Sequence, residues 1–268
     1  MSDQRYSWIA LDLDDTLLGP DRAVGYNARR AVQLVQGCEK VAILATGRPY
    51  ASAKKFAREL NLLGPVVANS GAVIRDPAGG VLRDLYLDPE LVTRVLSEIS
   101  ARELVAYVYH GEHTVATADH RDTERYSRVL RIDIPVVPNP EPEGVHAISV
   151  RVPPEIGARL ERELREEFAD IARVLRTLDT LIEILPRGAG KGAALRYLSC
   201  SLGLPLEELV AVGDSAGDMD MLEVAGRGVL VANAPRHLRG RADHVTREPY
   251  DEGVLRVVCD LLCEQSAI

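Results

Sequence analysis

The sequence predicts an α/β fold: a doubly wound (Rossmann-like) parallel sheet core with an inserted α+β cap domain. Three observations carry that prediction. Short unbroken apolar runs recur at 8–11 (WIAL), 41–45 (VAILA), 66–68 (VVA) and 209–212 (LVAV). Bounded by polar residues, such runs form strands covered on both faces. Stretches of helical spacing separate them, and strands alternating with helices build a parallel sheet. The alternation breaks off near residue 79 and resumes after 186, and the stretch between has the element order of an antiparallel α+β layer.

Taken in order, the run at 8–11 predicts the first core strand, and Asp12, Asp14 and Asp15 crowd its end. Residues 27–36 (NARRAVQLVQ) have helical spacing. The second strand, 41–45, ends at Thr46-Gly47-Arg48-Pro49, and 50–61 read as a helix closed by Gly64-Pro65. The third strand, 66–68, ends at Asn69-Ser70-Gly71, and Asp76-Pro77-Ala78-Gly79-Gly80 is a turn cluster. In the insert, a helix is predicted over 89–101 and a hairpin from 104–109 with 114–117. A strand at 145–152 alternates as if half-buried, 154–168 is a charged amphipathic helix, and 173–185 holds two strands. The core pattern then returns with a helix at 191–202, a buried strand at 209–213, a helix at 219–225, a strand at 228–231 and a closing helix at 253–264. The expected domains are a core of residues 1–78 with 187–268 and a cap of residues 79–186.

Composition narrows the function. The 268 residues suffice for one large domain or two modest ones. A net charge of −8 gives no footprint for nucleic acid and no polybasic membrane anchor. No apolar run reaches the roughly 18–20 residues of a membrane span, and the first residues (MSDQRYSW) lack the pattern of a signal peptide. Cys38, Cys200, Cys259 and Cys263 form no Cys-x-x-Cys pair, and the last two, one helical turn apart, are expected in a core. A cytoplasmic protein, monomer or homodimer, is expected. Only four of its 32 basic residues are lysines, at 40, 54, 55 and 191. A lysine kept against that bias suits a place that wants a compact ammonium group.

The chemistry gathers at strand ends. Two unit charges about 4 Å apart repel by roughly 4 kcal/mol at an effective dielectric near 20. That is a large share of a typical stability of about 5–15 kcal/mol, so the aspartates after the first strand either belong to a solvated turn that caps the next segment or are offset by a cation. Ligands of doubly wound sheets bind at the carboxyl ends of the strands. Asp12 and Asp14, Thr46-Gly47, Lys191 at a helix start, and Asp214 with Asp218 are therefore expected to meet. Carboxylates from two strands suit Mg²⁺, which prefers a few carboxylates plus phosphate oxygens. A hydroxyl and N–H groups at Thr46-Gly47 suit a phosphate, and Lys191 adds charge where the helix dipole already favours an anion. Singly, Thr46-Gly47 reads as a turn, Lys191 as a solvated helix residue, and Asp214 with Asp218 as helix capping. Their joint order at strand ends resists those readings.

These segments spell a family. Leu11-Asp12-Leu13-Asp14-Asp15-Thr16-Leu17-Leu18, Ala45-Thr46-Gly47-Arg48-Pro49, Asn69-Ser70-Gly71-Ala72, Gly190-Lys191-Gly192 and Gly213-Asp214-Ser215 with Asp218 resemble the haloacid-dehalogenase superfamily of phosphohydrolases. The likeness is to its Cof-type branch with a type-IIB cap, and it continues through Val231-Ala232-Asn233-Ala234, Ala242-Asp243, Val245-Thr246 and Asp251-Glu252-Gly253-Val254. It covers most of the core, and in the insert only position and element order match. The resemblance implies Asp12 as nucleophile and Asp14 as general acid and base. It implies Mg²⁺ held by the Asp12 carboxylate, the Asp14 main-chain carbonyl and Asp214, with Asp218 ordering metal-bound water. Thr46, the N–H of Gly47 and Lys191 would hold the phosphoryl oxygens.

One position departs from the pattern: Gly217 stands where the branch commonly has Asn. In the family the cap closes over the site and chooses the leaving group. Arg48 and Asn69, in core loops, are the expected substrate contacts. His110, His113 and His120 match no zinc spacing, and Arg121, Arg125 and Arg128 read as a solvated helix face. The expected activity is Mg²⁺-dependent hydrolysis of small phosphorylated metabolites, sugar phosphates foremost, through an aspartyl-phosphate. The alternatives are a non-catalytic phosphometabolite-binding protein on the same fold and a phosphosugar phosphotransferase.

Overall fold

The computed structural model describes residues 6–266. The chain begins β1 (Trp8–Leu11), α1 (Tyr26–Gly37), β2 (Val41–Ala45), α2 (Tyr50–Glu59), β3 (Val66–Ala68), β4 (Val73–Arg75) and β5 (Val81–Asp84). It continues α3 (Pro89–Ala101), β6 (Val105–His110), β7 (His113–Ala116), α4 (Thr123–Leu130), β8 (Val145–Arg151), α5 (Pro154–Phe168), β9 (Ala172–Leu178) and β10 (Leu181–Pro186). It ends α6 (Lys191–Leu202), β11 (Leu209–Gly213), α7 (Met219–Val224), β12 (Arg227–Leu230), β13 (His244–Val245) and α8 (Tyr250–Ser266). Contacts divide it into two compact units. The first holds the residues up to Gly47, Ala53–Leu82 and those from Gly190, and the second holds Arg48–Ser52 and Arg83–Ala189.

The first unit is built on an eight-stranded sheet in the order β13-β12-β11-β1-β2-β3-β4-β5. β1 lies at its centre, with Trp8 opposite Val41 on one side and Leu209 on the other. All pairs from β13 to β3 are parallel, as the apolar runs predict. Beyond β3 the sheet departs from the all-parallel expectation, because β4 runs antiparallel to β3. The Asp76–Gly80 cluster is the turn that leads to β5, with Asp76 N donating to Gly80 O at 2.9 Å and Gly80 N to Asp76 Oδ1 at 2.8 Å. The turn was legible, but strands of three and four residues around it were not. The boundary between units therefore falls inside β5 rather than at 78, and the return falls at Gly190 rather than at 187.

The second unit is a five-stranded antiparallel sheet in the order β7-β6-β8-β10-β9. α3 starts where Asp88 accepts from Glu90 N and Leu91 N, with Pro89 at its first position, both strong start signals. Val95 and Ile99 of α3 and Leu160, Leu164 and Phe168 of α5 belong to one apolar core with Val108, Ile148 and Ile184 of the strands. On β6 the alternate residues Tyr107 and Tyr109 serve α4 instead. The Tyr107 ring lies 4.5 Å from that of Tyr126, and the Tyr107 hydroxyl meets Thr123 Oγ1 at 3.2 Å. β8 is therefore buried on both faces through Val150, not on one as its alternation suggests. Its inward polar residue, Ser149, accepts from the Tyr109 hydroxyl at 3.0 Å.

The cysteines correct one expectation: Cys259 is half-buried and Cys263 exposed, on the outer side of α8. No helix among the described residues is long and apolar enough to cross a membrane.

Candidate active site

The site assembles in the first unit where neighbouring parallel strands stop. Asp12 follows β1 directly, and its N–H donates to Val212 O at 3.0 Å, which keeps it beside the end of β11. Thr46 follows β2 and is held to β3 by its N–H to Val67 O at 2.9 Å. Its carbonyl accepts from Ser70 N at 3.1 Å, so the Asn69-Ser70-Gly71 turn is fastened to the same edge. Gly71, at φ +93°, sits so close to Gly190 that a Cβ there would lie 2.2 Å from Gly190 O. That close approach sets the start of α6, and hence Lys191, next to these loops.

Lys191 is the centre of the arrangement. Its Nζ donates to Asp12 Oδ1 and to Asp218 Oδ1, both at 2.6 Å, and all three residues are buried. Burial works against the charge on Lys191, but Asp12 and Asp218 outweigh it and raise its pKa above the ordinary lysine value. Asp12 is pushed well above the ordinary carboxylate range by burial and by Asp218, with Lys191 pulling the other way.

Asp218 performs two tasks at once. Its Oδ2 accepts from Asp214 N at 3.1 Å and from Ser215 N and Oγ, each at 2.9 Å, forming a capping box at the turn before α7. Its Oδ1 faces Lys191. The capping reading of this segment holds for Asp218, and the same carboxylate also faces Lys191. Gly213 makes room, because a Cβ there would lie 2.6 Å from the Asp218 Cβ. Asp214 is less buried, and its Oδ1 accepts from Thr16 Oγ1 at 3.3 Å. Burial, Asp218 and Asp15 push its pKa up to about 7.

Oxygens of Asp12, Asp214 and Asp218 lie within 4.8 Å of one another. Three carboxylates face one ammonium group, and every candidate ligand is oxygen, which fits a hard divalent cation such as Mg²⁺. The Asp14 side chain does not join this group. It is half-buried and paired with Arg22 at 2.9 Å. Its main-chain carbonyl is the contribution to a metal that the family resemblance implies.

Arg48 is placed differently from the expectation. It is buried, its Nη1 donates to Val129 O at 2.5 Å and to Ser52 Oγ at 3.3 Å, and it belongs with the second unit. Asn69 lies buried in the first unit beside Thr46. At Gly217 a Cβ would meet only Ser215 Oγ, at 3.5 Å. The missing amide is therefore a change of side chain and not a demand of the backbone. Sequence reasoning missed Arg22, and it placed Ser215 in the motif without seeing its part in the capping box. Nothing marks Arg22 in the sequence except its nearness to the aspartates, whereas Ser215, three residues before Asp218, has the spacing of a cap.

A lysine and carboxylates collected at the carboxyl ends of parallel strands define a ligand site of a doubly wound core, suited to an anion and a hard cation. The comparisons identify its family. A family model described as haloacid dehalogenase-like hydrolase matches residues 9–258. The chain is 28% identical over 264 residues to the 5-amino-6-(5-phospho-D-ribitylamino)uracil phosphatase YitU of Bacillus subtilis, covering 92% of this chain and 94% of that protein. It is 28% identical over 243 residues to an HMP-PP phosphatase of Serratia proteamaculans, covering 87% and 86%. A solved haloacid dehalogenase-like hydrolase from B. subtilis superposes with a TM-score of 0.83 at 25% identity, covering 94% of this chain and 99% of that one. The chain belongs to the haloacid dehalogenase-like hydrolase family, in its Cof-type branch.

Proposed function

We propose that the protein is a Mg²⁺-dependent phosphatase of small phosphorylated metabolites, sugar phosphates foremost, acting through an aspartyl-phosphate. One observation carries the reading: Lys191 bridges Asp12 and Asp218 with Asp214 in reach, so a nucleophile, a phosphate-binding cation and an acidic metal site share one strand edge. The Asp12 and Asp214 carboxylates and the Asp14 carbonyl would hold the ion, with Asp218 behind them. Bound there, Mg²⁺ supplies positive charge that favours the ionised aspartates and stabilises the phosphoryl oxygens in the transition state.

The chain's own groups do the rest. Lys191, the Thr46 hydroxyl and the Gly47 N–H hold the phosphoryl group in line with Asp12, and positioning of this kind supplies most of the rate in phosphoryl transfer. An Asp12 oxygen forms a bond to phosphorus as the bond to the leaving oxygen breaks. The leaving oxygen keeps the electron pair and takes a proton from Asp14. In the second half Asp14 accepts a proton from water as the water oxygen bonds to phosphorus. The Asp12–phosphorus bond breaks with its electrons returning to Asp12, and Asp14 is left protonated for the next cycle. The commitment of Arg48 to Val129 and Ser52 favours Asn69 over Arg48 as a substrate contact. We assign leaving-group choice to the inserted unit. The named activities of the relatives, on a phosphorylated uracil derivative and on HMP-PP, support a small phosphorylated substrate.

The test is a panel of sugar phosphates with p-nitrophenyl phosphate, run with Mg²⁺ and with EDTA. Turnover is expected only with Mg²⁺, and Asp12→Asn is expected to lose all of it. Undiminished hydrolysis in EDTA, or by Asp12→Asn, would overturn the proposal.

A further inference from the structure

The loop after β1 folds back on itself. Leu18 N donates to Leu13 O at 2.8 Å and Arg22 N to Gly19 O at 2.9 Å, and Leu18 makes isolated bridges to Asp14 and Val24. This brings Arg22 back over the aspartates that precede it. Its Nη1 donates to Asp14 Oδ1 at 2.9 Å and its Nη2 to Asp15 Oδ2 at 3.0 Å. Asp15 is itself anchored, because its carbonyl accepts from Asn233 Nδ2 at 2.8 Å and Asn233 Oδ1 accepts from Tyr250 N at 3.0 Å.

Both ends of this fork have unusual backbone. φ is +59° at Asp15 and +55° at Arg22, a left-handed conformation that residues with a Cβ seldom adopt. Conformations of that kind persist where the surroundings impose them, and they cluster at functional sites. Stability does not account for the fork. The side chains of Arg22, Asp14 and Asp15 are 34%, 34% and 39% exposed, and ion pairs that open to water contribute little.

We propose that Arg22 is a positioning residue for Asp14, holding its carboxylate in the one orientation from which it exchanges protons with the leaving group and with water. The proposal rests on the acid–base reading of Asp14 given above. An aspartate has three staggered χ1 wells, and proton transfer requires hydrogen-bond reach. A planar guanidinium gripping two neighbouring carboxylates selects one well. An ammonium group, with no fixed fork, does not. An alkyl leaving group needs the Asp14 proton as its bond to phosphorus breaks. p-Nitrophenolate, a weak base, departs with the electron pair and needs none.

The test compares kcat/KM for glucose 6-phosphate and p-nitrophenyl phosphate, since kcat/KM reports the step in which the leaving group departs and is blind to the later hydrolysis. Arg22→Ala and Arg22→Lys are measured beside Asp14→Asn, with thermal unfolding to show that each variant is folded. Both Arg22 variants are expected to lose about tenfold or more on glucose 6-phosphate through kcat, with KM unchanged, and to lose little on p-nitrophenyl phosphate. Asp14→Asn is expected to show the same selectivity with a larger loss. If Asp14→Asn is selective and the Arg22 variants are not, the role of Arg22 is refuted while that of Asp14 stands. Equal losses on both substrates in the Arg22 variants, or full activity in Arg22→Lys, refute it as well. If Asp14→Asn shows no selectivity, the acid–base reading of Asp14 falls, and the role of Arg22 falls with it.

Discussion

In the first unit the buried polar centre is ionic: Asp12, Asp218 and Lys191 share two short contacts, with Asp214 beside them. In the second unit a cluster of hydroxyls makes the interior contacts, with the buried Glu183 near it. Tyr109 and Tyr126 meet at 2.7 Å, Tyr109 donates to Ser149 at 3.0 Å, and Tyr107 meets Thr123 at 3.2 Å. Burial raises the pKa of both Tyr109 and Tyr126, so they stay protonated and able to donate. Each hydroxyl can both donate and accept, so the hydroxyl cluster links its members without an excess of charge among them. The ionic group does not, because carboxylates outnumber ammonium groups. The hydroxyl cluster carries no charge of its own, whereas the ionic centre is left with an excess of carboxylates.

The sharpest way to break this contrast is Lys191→Met. It leaves Asp12 and Asp218 facing each other without their shared cation. Removing one partner of a buried ion pair costs about 3–5 kcal/mol, and on the phosphate-binding role proposed for Lys191 kcat is expected to fall by about 10²–10³-fold. Chemical denaturation and steady-state kinetics measure the two effects.

The next effect is on pH. Asp214 titrates near 7 in the folded protein against an ordinary 3.8, so between those values the folded state keeps a proton that the unfolded chain has released. Its contribution to stability is complete below the lower value and declines as pH rises through the upper one. Without divalent ion, the melting temperature is therefore expected to fall from pH 5 to pH 8 more steeply in the wild type than in Asp214→Asn. Mg²⁺, which favours the ionised form, is expected to stabilise the wild type more at pH 8 than at pH 5. Calorimetric scans at the two pH values decide it.

The smallest effect belongs to the hydroxyl centre. Tyr109→Phe removes the link between Tyr126 and Ser149 and is expected to cost about 1–3 kcal/mol of stability. Added Mg²⁺ is not expected to restore it, whereas Mg²⁺ does offset the pH-dependent loss in the first unit. Urea unfolding with and without Mg²⁺ separates the two centres.

The same contrast explains what could be read in advance. Asp12, Thr46 and Asp214 each stand at the end of an apolar run, Asp218 lies four residues past Asp214, and Lys191 opens a helical stretch, so strand-end logic gathered them without coordinates. The tyrosine centre offered no such pattern: Tyr109 and Ser149 are 40 residues apart, and α4 reads as a solvated helix because its outer face carries Glu124 and Arg128, an exposed pair 3.6 Å apart. β4 (VIR) and β5 (VLRD) were lost because charged residues interrupt them, so neither shows the unbroken apolar run that marks β1 and β3. Arg22 was lost because its partners lie around a loop, where side-chain direction follows backbone angles that composition does not encode. Arg48 read as a core-loop residue because it adjoins Thr46-Gly47, whereas its guanidinium had a carbonyl 81 positions away to satisfy.

The central strand of the large sheet also sets a timetable. β1 lies between β2 and β11, and its second neighbour, around Leu209, is roughly 200 residues further along. At a synthesis rate of about 5–20 residues per second, one side of β1 waits on the order of 10–40 s for its partner to leave the ribosome. Throughout that interval the nascent chain carries Asp12 without Asp214, and for most of it without Lys191, and so has no complete site. It also carries an open hydrogen-bonding edge at its heart, which makes this half-made protein a natural client for chaperones.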